Sequence, residues 1–179
     1  MNTASVKPLL LTELNELQGS AMEAATAAGQ VLLNARKEVL SVDQAYAHDI
    51  KLQADRDAES VILNTLKAAD PTAEIFSEEA GKIEGSGSHV WYVDPLDGTL
   101  NYYHGLHHYC TCIACYQRST MPENPGVPLF GVVFAPDDDE CFDAAAGKGA
   151  KCNGVALSCS PVTSLKEAMV TTSYGSRLE

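Results

Sequence analysis

The chain has 179 residues, 24 Asp plus Glu against 12 Lys plus Arg, a formal net charge of -12 and a pI near 4.7. With 45% hydrophobic and 20% charged residues it is globular in composition, and its length suits one domain, or one domain and the start of another. The acidic balance disfavours a non-specific nucleic-acid binder, which needs basic surface, and no apolar run approaches the ~20 residues that span a bilayer.

Neither nucleic acid nor a membrane is therefore an expected partner. Carboxylates in excess suit divalent cations, or a phosphate ligand that arrives with them. The start, MNTASVKPLLLTEL, lacks a basic region followed by an apolar stretch and a cleavage site, so a reducing cytoplasm is the expected compartment.

After Lys7-Pro8, apolar residues at Leu10, Leu14, Leu17, Ala21, Ala24, Ala28, Val31 and Ala35 recur every three or four positions. They predict a long amphipathic helix, capped near its start by Thr12 and weakened but not broken by Gly19 and Gly29. A polar link from Ser41 to His48 leads into Asp49-Ile-Lys-Leu-Gln-Ala-Asp55. A second helix is predicted from Arg56 to about Ala69. It has Asp55 placed to cap it, Val61, Ile62 and Leu66 buried, and Asp70-Pro71 as its stop.

From Glu74 the pattern changes to strands. Glu74-Ile-Phe76 is short and ends at Ser77-Glu-Glu79, and the Gly/Ser-rich stretch from Gly81 to Ser88 reads as a mobile loop. Val90-Trp-Tyr-Val93, Tyr109–Tyr116, Leu129–Ala135 and Glu140–Ala146 are the further predicted strands. The acidic turn Asp137-Asp-Asp-Glu140 lacks the spacing of a calcium loop and reads as a solvated hairpin tip. Ser164-Leu-Lys-Glu-Ala168 is expected to form a short helix that feeds a strand at Met169–Ser173. Strands in succession after two helices predict an α+β layered domain with a largely antiparallel sheet packed against helices.

Six cysteines stand at 110, 112, 115, 141, 152 and 159. Cys112-x-x-Cys115 has no second thiol pair to complete a zinc site. On a strand, Cys110 and Cys112 share one face while Cys115 takes the other. Small buried apolar residues are the expected role.

The chemistry concentrates in Val90-Trp-Tyr-Val-Asp-Pro-Leu-Asp-Gly-Thr-Leu-Asn101. A hydrophobic strand delivers Asp94 and Asp97 to its carboxyl end, and Pro95 removes a donor and fixes φ between them. Gly98 permits a positive φ or the close approach of a ligand. A helix starting at Thr99 would present free amides to a phosphate, and two carboxylates would hold its hard cation. Ser77-Glu78-Glu79 points its adjacent acids to opposite faces, so one of them can look into such a site. His104, His107 and His108 read as substrate-edge or strand-start residues.

These segments resemble the inositol monophosphatase family of Mg2+-dependent, lithium-sensitive phosphatases. The likeness rests on Glu78-Glu79 followed by Trp91–Asn101, on Asp49–Asp55, on Gly131-Val-Val-Phe-Ala-Pro136 and on Gly147-Lys-Gly-Ala-Lys-Cys-Asn-Gly154, in that family's order. The resemblance implies that Glu78, Asp94, the carbonyl of Leu96 and Asp97 bind Mg2+. It implies that Glu78 and Thr99 orient the attacking water, that Asp55 hydrogen-bonds Thr99, and that amides around Gly98 and Thr99 hold phosphate. A small phosphorylated metabolite such as an inositol phosphate is the implied substrate, and a homodimer the implied assembly.

Members of that family continue into a second α/β domain, where a Trp-Asp motif supplies another metal ligand. The one Trp of this chain, Trp91, belongs to the first motif. Residues 1–158 are accordingly expected to be an amino-terminal α+β domain of the sugar-phosphatase-like layered type that binds metal and phosphate, and 159–179 the start of a truncated carboxy-terminal domain. On this reading the first metal site is nearly complete, the second lacks a ligand, and activity is impaired. The alternative is a non-catalytic metal-binding or interaction subunit built on the same half-fold.

Overall fold

The computed structural model describes residues 11–37, 42–46, 49–119 and 126–171, with 11, 42–46 and 49–51 described by their backbone alone. Helix α1 (Leu11–Ala35) is followed by a two-stranded antiparallel ribbon of β1 (Val42–Tyr46) and β2 (Asp49–Leu52), then by α2 (Gln53–Ala69). The main sheet comprises β3 (Glu74–Ser77), β4 (Gly81–Ile83), β5 (His89–Asp97), β6 (Cys110–Gln117), β7 (Val127–Ala135), β8 (Glu140–Ala145), β9 (Gly149–Cys152) and β10 (Val155–Ala156), with the short α3 (Thr99–Tyr103) after β5. Its order is β10-β9-β8-β7-β6-β5-β3-β4. All neighbours pair antiparallel except β3 and β5, which are parallel. This is the α+β layered architecture that the sequence predicts.

Both long helices cover one face of the sheet. Trp91, Val93, Ile113, Cys115, Phe130, Val132 and Phe134 alternate along three neighbouring strands and are buried beneath them. The helix faces meeting each other are small: Ala21, Ala24, Ala25 and Ala28 of α1, with Ala54 and Ala58 of α2, are all buried. Gly29 also has a packing role. A β-carbon there would lie 2.4 Å from the Phe134 ring, so the missing side chain lets α1 settle onto β7. Tyr102 of α3 donates its hydroxyl to the carbonyl of Leu32 at 2.7 Å and ties the end of the site to α1.

Several expectations are corrected. Thr12 lies inside α1 rather than capping it. Helix α2 begins three residues early, at Gln53, because Asp55 does not precede the helix. It occupies the first turn and accepts the Leu52 N–H at 2.9 Å. Part of the polar link, 42–46, is a strand, while Ser41, Ala47 and His48 fall outside the described residues. The Gly81–Ser88 stretch opens as a strand hydrogen-bonded to β3, and Gly85 and Gly87 press against the backbone of 72–74. Gly85 and Gly87 serve close approach, and Gly81 a positive φ of 70°.

Ser164–Ala168 makes a single turn, and Met169–Thr171 forms no strand, with Leu165, Met169 and Val170 all exposed. No layer packs on this segment among the described residues, and an isolated turn has little to stabilise it. Residues 172 and 173 of the expected strand lie outside the described residues. The hairpin tip at 137–140 is solvated only in part, since Asp137 forms an ion pair with Arg36 that fastens the end of α1 to the β7–β8 turn.

Candidate functional site

Parallel pairing of β3 with β5 places their carboxyl ends side by side. Ser77 stands opposite Val93, and the Glu78 N–H donates to the Val93 carbonyl at 3.1 Å. Glu78 thereby arrives beside Asp94, near enough for their carboxyls to hydrogen-bond. Burial, then the hydrogen bond and charge of Glu78, then the charge of Asp97 push the Asp94 carboxyl up to about 8. Its own contact with the Leu96 N–H, at 3.1 Å, opposes this.

Asp94 and Asp97 are three residues apart and would point to opposite faces of a regular strand. The ladder with β6 shows why they do not. Asp94 pairs with Cys112 and Asp97 with Cys110, so β5 carries one residue more than its partner across this interval. That extra residue is a β-bulge, and it returns both acids to the face away from α1 and α2. Pro95 and Leu96 form the bulge. Pro95 has no N–H to lose, its carbonyl accepts the buried Thr111 hydroxyl at 2.9 Å, and the Leu96 carbonyl accepts the Thr99 hydroxyl at 3.1 Å.

Gly98 has φ of 88°, and a β-carbon there would lie 2.7 Å from the His108 carbonyl oxygen. This turn starts α3, whose first amides have no intrahelical acceptors. Asn101 closes the other side by donating Nδ2–H to the same His108 carbonyl at 2.6 Å. His107 and His108 line a polar hollow of about 360 Å³ with Asp97, Gly98 and Asn101, whereas His104, exposed at the end of α3, is not among its lining residues.

Asp55 is buried near α3, where its charge reaches the Tyr102 hydroxyl. Its carboxylate accepts the Leu52 N–H, and the Thr99 hydroxyl is given to Leu96. Glu79 is half-buried next to the exposed Glu78. Glu59 was not foreseen from the sequence. It is buried on α2 one turn after Asp55, and accepts both the Ser77 hydroxyl and the Ala80 N–H, the latter at 2.8 Å. It therefore braces the turn that carries Glu78. The signal was present as two acids four apart on the buried face of a helix.

Glu78, Asp94, Asp97 and the Leu96 carbonyl are an oxygen-only donor set, the kind that Mg2+ takes. An Asp94 carboxyl held protonated near neutrality by the neighbouring Glu78 and the charge of Asp97 also fits a divalent cation, whose charge would relieve the repulsion. Beside them opens a groove of about 700 Å³ along the uncovered face of the sheet, floored by Phe76, Tyr92, Ala114 and Val133 and edged by Glu78 and Asp94.

A sequence model of the inositol monophosphatase family matches residues 13–178. The chain is 38% identical over 159 residues to the Nus factor SuhB of Pseudomonas aeruginosa, covering 86% of this chain and 56% of that protein. It is 32% identical over 167 residues to inositol monophosphatase 2 of Solanum lycopersicum, covering 90% and 60% respectively. In structure it is similar to the extragenic suppressor protein suhB from Bartonella henselae, with a TM-score of 0.73, 34% identity, and 80% of this chain and 54% of that one covered. The inositol monophosphatase from Anabaena gives 0.68 at 33% identity, with 83% and 51% covered. The chain thus spans between half and two-thirds of the length of these two curated relatives, SuhB and the tomato enzyme. No described helix is long and apolar enough to cross a membrane.

Proposed function

The chain belongs to the inositol monophosphatase family, and from that premise we propose that it forms the metal- and phosphate-binding half of a Mg2+-dependent phosphomonoester hydrolase. The observation that carries this reading is the bulge at Pro95-Leu96, which turns Asp94 and Asp97 to one face while the parallel ladder brings Glu78 against Asp94. Glu78, Asp94, Asp97 and the Leu96 carbonyl hold Mg2+, which when bound neutralises the ester's charge and acidifies a water. Glu78 and Thr99 orient that water. The amides of Gly98 and Thr99 bind phosphate oxygens, and Asp55 would take the Thr99 hydroxyl once it leaves the Leu96 carbonyl that Mg2+ engages. The substrate class is a small phosphorylated metabolite, inositol phosphates first. Lithium inhibition, a homodimeric assembly and a cytoplasmic location go with the same reading.

The test is Mg2+-dependent phosphate release by the full-length protein on inositol phosphates, sugar phosphates and adenosine bisphosphates. Release that stops on chelation supports the proposal, and none across all three classes overturns it. A second reading is favoured by the name Nus factor, carried by several relatives. In it the chain is a non-catalytic metal-binding or interaction subunit. Calorimetry would then record Mg2+ binding by a protein that hydrolyses nothing.

A further inference from the structure

We propose that Asp97, Cys110 and Cys112 form a binding site for a thiophilic divalent cation of the zinc and cadmium class. Cys110 and Cys112 lie two apart on β6 and so share a face, and the β5–β6 register sets Cys110 directly opposite Asp97. Their sulfurs are 3.6 Å apart, and Cys110 Sγ is 3.9 Å from Asp97 Oδ2. All three donor atoms lie within 4.8 Å of one another, and no other trio of His, Cys, Asp or Glu does so among the described residues.

The sulfur–sulfur and Cys110–Asp97 separations are close to a tetrahedral metal's edges. With zinc–sulfur bonds of about 2.3 Å and zinc–oxygen bonds of about 2.1 Å, tetrahedral angles place sulfur about 3.8 Å from sulfur and about 3.6 Å from oxygen. Little movement is then needed to close the site, and the fourth position stays open to water. The donor chemistry selects against Mg2+, because thiolates favour soft and borderline metals. Both thiols are half-buried and Asp97 is exposed, which leaves the metal a way in. The two thiol protons pass to solvent on binding. Cys115 is buried on the opposite face and takes no part. This site does not depend on the phosphatase reading, although a cation held there engages Asp97.

The experiment titrates the reduced chain with cobalt(II) and follows sulfur-to-cobalt charge-transfer absorption. The expected result is a band that saturates at equimolar metal, is displaced by zinc and persists in excess Mg2+. It should vanish in a Cys110→Ser/Cys112→Ser variant that keeps its circular dichroism, and survive in Cys141→Ser/Cys152→Ser. No band, or a band that survives the first variant or is lost in the second, overturns the proposal. In the unsubstituted chain, zinc should slow alkylation of Cys110 and Cys112 but not of Cys159, read by peptide mass spectrometry. Equal labelling with and without zinc overturns it even if the variant fails to fold.

Discussion

The backbone N–H of Glu78 donates to the carbonyl of Val93 at 3.1 Å, extending the parallel β3–β5 ladder to the first residue beyond β3. The distance between the Glu78 and Asp94 carboxyls is thus set by strand pairing, not by loop conformation. Crowding of these acids is a property of the sheet, and it remains when no cation is bound. Asp94→Asn should accordingly raise the thermal stability of the metal-free chain near neutrality, because the folded chain must keep the Asp94 carboxyl protonated where the unfolded chain ionises it, and the amide carries no such cost. The same substitution should abolish the rise in Tm that Mg2+ gives the unsubstituted chain. Thermal melts with and without Mg2+ check both halves, and an unchanged Mg2+ response in the variant contradicts the assignment of Asp94 as a ligand.

Glu59 supports the turn that follows β3. Glu59→Ala leaves the Ser77 hydroxyl and the Ala80 N–H without their acceptor and should cost about 1–3 kcal/mol in urea unfolding. Mg2+ affinity, measured by calorimetry, should fall with it because Glu78 loses its brace. Ser77→Ala removes one donor and leaves Glu59 its bond to Ala80, so it should cost less than Glu59→Ala.

Two glycines with positive φ separate backbone strain from crowding. Gly98→Ala meets both, since φ is 88° and the new β-carbon would come within 2.7 Å of the His108 carbonyl oxygen. Gly81→Ala meets strain alone: φ is 70° and nothing lies within 4 Å. The expected cost is about 1 kcal/mol at Gly81 and about 2–3 kcal/mol at Gly98. Equilibrium unfolding of the two variants measures the difference, and equal costs would mean that the turn after Asp97 yields easily.

At the far end of β5, Asp70 accepts hydrogen bonds from His89 Nδ1 at 2.7 Å and from Trp91 Nε1 at 3.2 Å. Burial pushes the Asp70 carboxyl up, but these two bonds and the His89 charge outweigh it and hold the group below its ordinary value. A depressed carboxylate stabilises the fold fully above its unfolded pKa of about 3.9, and the benefit is lost as pH falls through the lower folded value. Asp70→Asn should flatten the decline in stability below about pH 4 and destabilise the chain by about 1–2 kcal/mol near neutrality. Urea unfolding across that pH range reads both effects.

Much of this could be read from the chain. The three- and four-residue spacing of α1 and the apolar runs of β5, β6 and β7 located the layers, because burial on one face imposes a period. Asp94, Asp97 and Gly98 stood out because two acids around a proline, followed by glycine, serve few structures other than a shaped turn. What escaped depends on partners remote in sequence. The brace from Glu59 to Ser77, the packing of Gly85 on Ala73 and the close seat of Gly29 under Phe134 each need the tertiary neighbour to be visible. The bulge escaped for the same reason. A residue is extra only relative to the strand beside it, and that strand is β6.

Trp91, fully buried beneath the helices with its ring N–H on Asp70, is the single tryptophan of the chain. Its fluorescence is therefore a one-point optical probe built into the protein. The emission reports the junction of α2 with β5, and β5 is the strand that ends in Asp94 and Asp97. A shift to longer wavelength marks the moment water enters that junction, without any label or added dye. The indole also packs edge-to-face with Phe130, ring centroids 5.5 Å apart, so the same signal senses whether β7 is still in place.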